Sequence, residues 1–221
     1  YVKIYKVFFM RMRKKWWALP ELKESSIFRY RPMENKGKWH EDFGNDSPIY
    51  LELGSGMGSF INYLKNTFKE KNFVGIDMEE GCLVYAKRML EEEDTSNVRL
   101  VLADIRNVDE YFQENEVEEI YINFPNPWPK NKQHKRRLTY PDQLKMYKKI
   151  LKNGGTIRLK TDDQGLYEAS LKYFEREGFE IIFKTDDLMI DEFQDDFISE
   201  YETKWRSQDV KIKAILVRNV K

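Results

Sequence analysis

Short apolar runs alternate with helix-like stretches from about residue 48 to the end of the chain. Seven runs rich in branched aliphatic and aromatic residues predict strands, namely 49–53, 72–77, 98–102, 119–123, 156–160, 179–183 and 211–218. The stretches between them predict helices over 60–68, 82–93, 141–151 and 166–177. Pro141 suits the first turn of the third helix, and Gly154 with Gly155 is expected to end it.

The alternation of strands and helices predicts an α/β fold built from right-handed βαβ units. Such units form a mostly parallel sheet with helices on both faces. No clear helix separates the last two predicted strands, so the final strand is expected to be antiparallel. In open α/β sheets ligands bind beyond the carboxyl ends of the strands. The residues that follow each strand are therefore the candidates for binding and chemistry.

The first predicted strand carries Glu52 and runs into Gly54, Gly56 and Gly58. Glycines here let the backbone turn tightly and approach a ligand. A dinucleotide-binding turn reads G-x-G-x-x-G and meets a pyrophosphate, whereas this chain reads G-x-G-x-G after an acid. The carboxylate would repel a phosphate and attract a cation. This disfavours a NAD-linked oxidoreductase, although a plain strand–turn–helix glycine cluster remains the simple alternative.

Two more acids end the next two predicted strands. Asp77 lies 23 residues after Gly54, where an acid can accept hydrogen bonds from both ribose hydroxyls of an adenosine. Asp104 closes the third strand, where it would bond an adenine amine. A helix N-cap for Asp77 and a surface turn for Asp104 are the structural alternatives. Carboxylates at three successive strand ends are more informative than any one of them.

This pattern resembles motif I and its successors in the S-adenosylmethionine-dependent methyltransferases, whose class I fold is a Rossmann-like seven-stranded sheet. S-adenosylmethionine carries a sulfonium cation and an α-ammonium group but no phosphate, so acids facing it are favourable. The resemblance implies this fold and this cofactor.

A proline-rich loop follows the fourth predicted strand over residues 123–130, and a basic run follows over 134–138. Three prolines stiffen the loop where it leaves the sheet. Trp128 is suited to stack on a base, and the basic run is suited to meet phosphates. A solvated charged loop is the alternative interpretation.

The loop and the basic run resemble the F-P-D-P-W-x-K…H-x-K-R-R segment of the bacterial tRNA (guanine-N7-)-methyltransferases. The resemblance covers most of the chain and includes 10–15, Glu52 with its glycines, Asp77, Asp104, 160–162 and 199–202. It implies methylation of guanine N7 in tRNA, at position 46 of the variable loop. The residues expected to hold the cofactor are Glu52, Gly54, Gly56, Gly58, Asp77, Asp104 and Asn126. Those expected to contact the tRNA or its guanine are Lys130, Lys135, Arg136, Arg137, Asp162, Ser199 and Glu202. Asn126 and Asp162 are the candidate catalytic residues.

Several positions depart from the family pattern. Asn126 stands where the family has Asp, and Asp77 where it more often has Glu. The family's His corresponds to Gln133, so no role is expected for His134. Ser199 replaces the more usual Thr and keeps the hydroxyl.

The change to Asn126 is compatible with activity, because guanine N7 bears a lone pair and no proton. Attack on the sulfonium methyl therefore needs alignment rather than a general base. A carboxylate accepts from both N1–H and the 2-amino group of guanine, whereas an amide offers one acceptor and one donor edge. The hypothesis is an active enzyme in which Asp162 carries more of the guanine recognition.

Two alternative functions stay open. Asn126-Pro127-Trp128 also resembles the N-P-P-[YFW] loop of methyltransferases that act on exocyclic amines. A tRNA-binding homologue with impaired catalysis would keep the same motifs.

The net charge is zero, with 38 basic and 38 acidic residues, which by itself argues against a nucleic-acid binder. Residues 1–38 carry +8, 39–127 carry −12, 128–160 carry +10 and 161–221 carry −6. We expect a basic arm over 1–38, partly disordered until it meets RNA, and a methyltransferase domain over 39–221. The single cysteine, Cys82, excludes an internal disulfide and a Cys-rich zinc site. We expect a cytoplasmic monomer or homodimer with no membrane association and no metal.

Deleting residues 1–15 should weaken tRNA affinity and flatten its dependence on salt concentration, because fewer cations would then meet phosphates. Cofactor binding should change little. Binding isotherms over a range of salt concentrations test this, and an unchanged salt slope would remove the arm from the interface.

Overall fold

The computed structural model describes residues 15–189 and 197–221. Over these residues eight strands form one sheet in the order β1-β4-β3-β2-β5-β6-β8-β7. The strands are β1 (Phe28–Arg29), β2 (Ile49–Leu53), β3 (Asn72–Asp77), β4 (Val98–Leu102), β5 (Val117–Asn123), β6 (Leu151–Thr161), β7 (Phe179–Thr185) and β8 (Lys213–Asn219). The predicted α/β fold is confirmed, and the predicted count of seven strands omits only the two-residue β1.

Seven α-helices lie within the same described ranges. They are α1 (Ala18–Lys23), α2 (Trp39–Phe43), α3 (Ser59–Thr67), α4 (Glu80–Leu90), α5 (Pro141–Ile150), α6 (Gln164–Arg176) and α7 (Glu200–Arg206). Short 3-10 helices cover Pro32–Asn35, Ile105–Glu110 and Asn131–Arg136. Strands β1 to β6 pair in parallel, whereas β8 runs antiparallel to both β6 and β7. The expected antiparallel last strand is thus confirmed.

Two local predictions were wrong. Helix α5 ends at Ile150 and β6 begins at Leu151, so Gly154 and Gly155 lie inside the strand rather than at the helix end. There the register with β5 jumps, since Val117 pairs with Leu151 but Glu119 pairs with Thr156. A Cβ on Gly155 would lie 2.8 Å from a backbone carbonyl oxygen, so only glycine fits this bulge.

The second error concerns the segment between β7 and β8, where helix α7 lies although no helix was expected. Ser199 begins it by accepting a hydrogen bond from the Glu202 N–H at 3.1 Å. Ser followed three residues later by Glu is a capping signal, and it was present in the sequence.

Hydrophobic side chains cover both faces of the sheet. On one face α2, α5 and α6 pack on β2, β5 and β6, with Trp39 fully buried and stacked on Phe112 at 5.1 Å. On the other face α1, α3 and α4 pack on β3 and β4. Burial at about 25 cal/mol per Å² of apolar surface makes these two layers the main stabilising term. They hold the strand ends in fixed positions.

The described part of the predicted basic arm packs against this sheet. Ala18 and Leu22 of α1 are fully buried against α4, and β1 pairs with β4. Trp16 is 84% exposed, whereas Trp17 lies under the guanidinium of Arg88 at 4.9 Å. Residues 1–14, which form the remainder of the predicted arm, lie outside the described residues. In the ranges the structure describes, no helix has the length and apolarity to span a membrane.

Candidate functional site

The carboxyl ends of β2 to β5 border a cavity of about 560 Å³ at one edge of the sheet. Its lining includes Gly54, Asp104, Arg106, Asn123, Asn126 and Trp128. The glycine turn, the acid after β4 and the proline-rich loop after β5 therefore meet in one place. Arg106 and Asn123 were not predicted as site residues.

The glycine turn between β2 and α3 needs its glycines for backbone conformation and for close packing. Gly54, Gly56 and Gly58 all have positive φ, at 84°, 54° and 86°. A Cβ on Gly58 would lie 2.7 Å from the Cβ of Ala86, so the turn and α4 approach too closely for any side chain. The turn is thereby held directly over the ends of β2 and β3.

Glu52 is buried beside this turn and is only 4% exposed. Its Oε1 accepts a weak hydrogen bond from Asn123 Nδ2 at 3.4 Å, and its Oε2 is buried without a partner among the described residues. Burial raises the pKa of this carboxyl to about 8, and the nearby charge of Asp77 acts in the same direction. A buried acid with an unsatisfied oxygen is suited to a cationic ligand.

Asp77 ends β3 and holds the backbone of two neighbouring turns. Its Oδ2 accepts from the Gly56 N–H and its Oδ1 from the Glu79 N–H, both at 2.9 Å. Glu79, not Asp77, is the N-cap of α4. The carboxylate therefore links the glycine turn to the start of α4. Its contact with a ribose stays a prediction.

Asp104 lies in the cavity wall but is paired with Arg106. Its Oδ1 accepts from both the backbone N and Nε of Arg106 at 3.0 Å. The hydrogen bonds and charge of this guanidinium hold the pKa of Asp104 below its usual range. Any ligand that bonds Asp104 must share the carboxylate with Arg106 or displace it.

The loop at residues 124–129 is held in a strained conformation. Phe124 and Trp128 have positive φ values of 48° and 43°, each costing about 1–3 kcal/mol for residues of this type. Asn126 Oδ1 accepts from the Trp128 N–H at 3.2 Å, and Arg137 Nε donates to the Pro127 carbonyl at 2.8 Å. These bonds fix the loop against the cavity.

The predicted basic residues divide into two groups. Lys130, Lys135 and Arg136 are exposed, and the guanidinium of Arg136 lies 5.0 Å from the centre of the Trp128 ring. Arg137 is only 3% exposed and is bonded to the loop backbone. Arg137 therefore positions the loop, and its guanidinium is not accessible to a phosphate in this conformation.

Glu202 and Ser199 are likewise engaged within the protein. Glu202 is fully buried, with Lys160 Nζ at 2.8 Å from Oε2 and Arg206 at 2.7 Å from Oε1. Ser199 caps α7. The pair between Lys160 and Glu202 fastens α7 to β6, so that in this conformation neither acidic oxygen faces an open surface.

Asp162 follows β6, two residues after the Lys160 that pairs with Asn123. It is half-buried, and burial raises the pKa of its carboxyl. Tyr201 of α7 packs on Phe124 at 5.0 Å between ring centres, and burial, with a smaller contribution from the charge of Asp162, raises the pKa of its hydroxyl. Asp162 therefore lies near the proline-rich loop and α7, although it is outside the lining of the cavity. Tyr201 and Phe124 were not predicted, because only tertiary packing brings them together.

Comparisons with known proteins agree with this geometry. A family model described as "Putative methyltransferase" matches residues 46–215. A tRNA (guanine-N(7)-)-methyltransferase of Clostridium novyi (strain NT) is 45% identical, covering 95% of this chain and 99% of that protein. The enzyme of the same name from Clostridium acetobutylicum is 44% identical, covering 94% and 98%.

Solved structures show the same fold at low sequence identity. The 16S rRNA methyltransferase KamB matches with a TM-score of 0.64 and 10% identity, covering 84% of this chain and 94% of that one. An antibiotic-related methyltransferase matches with a TM-score of 0.61 and 19% identity over 84% and 94%. At these identities the likeness concerns the fold alone.

The raised pKa of Glu52 predicts a specific pH dependence of stability without ligand. The folded protein holds the Glu52 proton up to about pH 8, whereas the unfolded chain releases it near the ordinary value of 4.5. The contribution of Glu52 to stability is therefore present below pH 4.5 and is lost as the pH rises through 8. Between pH 4.5 and about pH 8 the free energy of unfolding of the wild type should fall by on the order of 1.4 kcal/mol per pH unit because of this group. Glu52→Gln has no such proton to lose, so this contribution should be absent from the variant.

Urea unfolding of the wild type and of Glu52→Gln at pH 5, 6.5, 8 and 9 measures the difference in free energy of unfolding. It should grow in favour of the variant up to pH 8 and then level off. A difference that stays constant with pH would contradict the raised pKa of Glu52 in the folded protein.

Proposed function

This chain belongs to the tRNA (guanine-N(7)-)-methyltransferase family, and from that premise we propose that it methylates N7 of a guanine in tRNA using S-adenosylmethionine. Nearly the whole length of the chain matches relatives of this name at 44–45% identity. The observation that carries the proposal is the shared cavity. One wall is the glycine turn beside Glu52, and another is the loop at 124–129 with its neighbouring exposed cations.

The residues at the carboxyl ends of the strands fit S-adenosylmethionine; Asp104 lines the cavity, and Glu52 and Asp77 lie next to lining residues but outside the lining itself. Its cationic amino-acid part suits the unsatisfied Oε2 of Glu52, and the glycine turn leaves room for backbone approach. Asp77 and Asp104 are the acids proposed for its ribose and adenine. The cofactor carries no phosphate, and its sulfonium and ammonium cations attract the three acids, whereas its own carboxylate and the repulsion between Asp77 and Glu52 act against them. When bound, the cofactor supplies an electrophilic methyl group on a sulfonium sulfur.

On the substrate side, the protein has to align the base and needs no proton acceptor. The N7 lone pair forms the new N–C bond, the C–S bond breaks with its electron pair going to sulfur, and the positive charge moves to the base. Asp162, with its partly desolvated carboxyl, is proposed to accept from guanine N1–H and the 2-amino group. The strained loop provides a fixed wall for the base, because alignment requires rigid positioning groups.

The exposed cations beside the loop are proposed to bind the tRNA backbone. Lys130, Lys135 and Arg136 are exposed, and Arg136 lies over one face of the Trp128 ring, whose other face is proposed to stack on a base. The variable-loop guanine at position 46 is the proposed target. Buried cations such as Arg137 hold the loop in place rather than the RNA.

The product identifies both the reaction and its site. Purified protein incubated with labelled S-adenosylmethionine and an unmodified tRNA transcript should place one methyl group on the variable-loop guanine. N7-methylguanine is cationic, so borohydride followed by aniline should cleave the chain there. A transcript with adenine at that position is the matched control and should accept no label. Label on an exocyclic amine, or cofactor and tRNA binding without transfer, would overturn the proposal.

Cofactor affinity should depend on the ionisation of Glu52. A cationic ligand binds the ionised carboxyl, so below pH 8 binding to the wild type must first release a proton. The ratio of the Kd of Glu52→Gln to that of the wild type should rise from pH 6 to pH 8, by up to about tenfold per unit. Protonation of the cofactor's own amino group changes both Kd values by the same factor, so it does not affect their ratio. Isothermal titration measures both constants, and a ratio independent of pH would separate Glu52 from the cofactor.

A further inference from the structure

The amide of Asn126 has a defined orientation in the cavity wall. Its Oδ1 accepts a hydrogen bond from the backbone N–H of Trp128 at 3.2 Å. A backbone N–H can donate only to the oxygen of a side-chain amide, so this hydrogen bond distinguishes Oδ1 of Asn126 from Nδ2. Nδ2, which is purely a donor, is then the free polar end. Among the described residues none accepts a hydrogen bond from it.

The loop around Asn126 is rigid enough to aim this donor. The positive φ values at Phe124 and Trp128 bracket it, and the buried Arg137 holds the carbonyl of Pro127 at 2.8 Å. A strained backbone persists only when its surroundings determine it, and such segments are common where a side chain must be positioned. The amide is therefore presented from a fixed base.

We propose that Asn126 determines base specificity by donating from Nδ2 to O6 of the target guanine. The proposal rests on the proposed function. The edge of guanine that contains N7 presents two acceptors, N7 and O6. N7 must keep its lone pair for the methyl group, so O6 is the acceptor left for a protein donor. Adenine has an amino group at this place, and two facing donors would exclude it.

The charge of the side chain matters as much as its donor. A carboxylate at position 126, which the family pattern carries, offers only acceptors and cannot make this bond to guanine O6. The contact therefore belongs to the amide of this chain and not to relatives that carry Asp, which must recognise O6 with another group. Asp162 would then bond the opposite edge of the base, at N1–H and the 2-amino group. Both residues follow neighbouring strands, because Asn123 of β5 pairs with Lys160 of β6.

A single-atom change in the base tests this contact. A tRNA assembled with 6-thioguanine at the target position replaces only O6, since sulfur is a weak acceptor. For the wild type, kcat/KM should fall about three- to tenfold relative to guanine, the effect of one neutral hydrogen bond. Asn126→Asp keeps an oxygen for the Trp128 N–H and so preserves the loop, but it removes the donor. This variant should be slower on guanine and should show no further loss on 6-thioguanine.

Two controls separate the contact from other roles of Asn126. Inosine at the target lacks the 2-amino group but keeps O6, so the wild type and Asn126→Asp should lose the same factor on it. Both proteins are assayed at saturating S-adenosylmethionine, so that a change in cofactor affinity does not enter the comparison. An equal 6-thioguanine penalty in both proteins overturns the proposal, as does a variant faster than the wild type on guanine. Failure of the wild type to form N7-methylguanine at all would instead overturn the proposed function.

Discussion

The carboxyl group of Glu52 is buried at the end of a central strand with one oxygen unsatisfied, and the surrounding site is built around this constraint. Burying a polar group without a partner costs about 1–3 kcal/mol, and a charge costs more. Protonation reduces the cost in the free protein, as the pKa of about 8 reflects. The hydrophobic layers on both faces of the sheet supply the stability that tolerates it. A cationic ligand would satisfy the oxygen, so the same feature that weakens the free fold favours binding.

The second constraint is the buried pair between Lys160 and Glu202, with Arg206 on the other oxygen of the carboxylate. Such pairs add little net stability, yet losing one partner costs about 3–5 kcal/mol because a buried charge is left alone. The pair therefore acts as a specific fastening rather than as general stabilisation. It sets α7 against β6, and with it the Tyr201 ring against Phe124. The position of the proline-rich loop depends in this way on a helix much later in the chain.

The sequence predicts the central elements well, because apolar runs there end abruptly at glycine or acid. The bounds of β2, β3 and β4 agree with the prediction residue for residue. The prediction from sequence fails where contacts between distant parts of the chain decide the local structure. Gly154 and Gly155 are ordinary helix terminators, but here they allow a bulge in β6. Arg137 and Glu202 belong to motifs associated with substrate, yet both are buried, and no local pattern distinguishes a buried charge from an exposed one.

Within each charged block along the chain, buried residues have to be distinguished from exposed ones. The block at 128–160 carries +10, but Lys160 and Arg137 are almost fully buried and hold the protein together. Only the exposed remainder can meet a polyanion. The site therefore separates two demands: Asp104 in the cavity wall, with Glu52 and Asp77 just outside it, lies on the side proposed for a cation, and Arg136 with the other exposed cations lies on the side proposed for RNA. Asn126 stands on the loop between them. A neutral amide there adds no charge to either side, and it leaves a directional donor where a carboxylate would leave only acceptors.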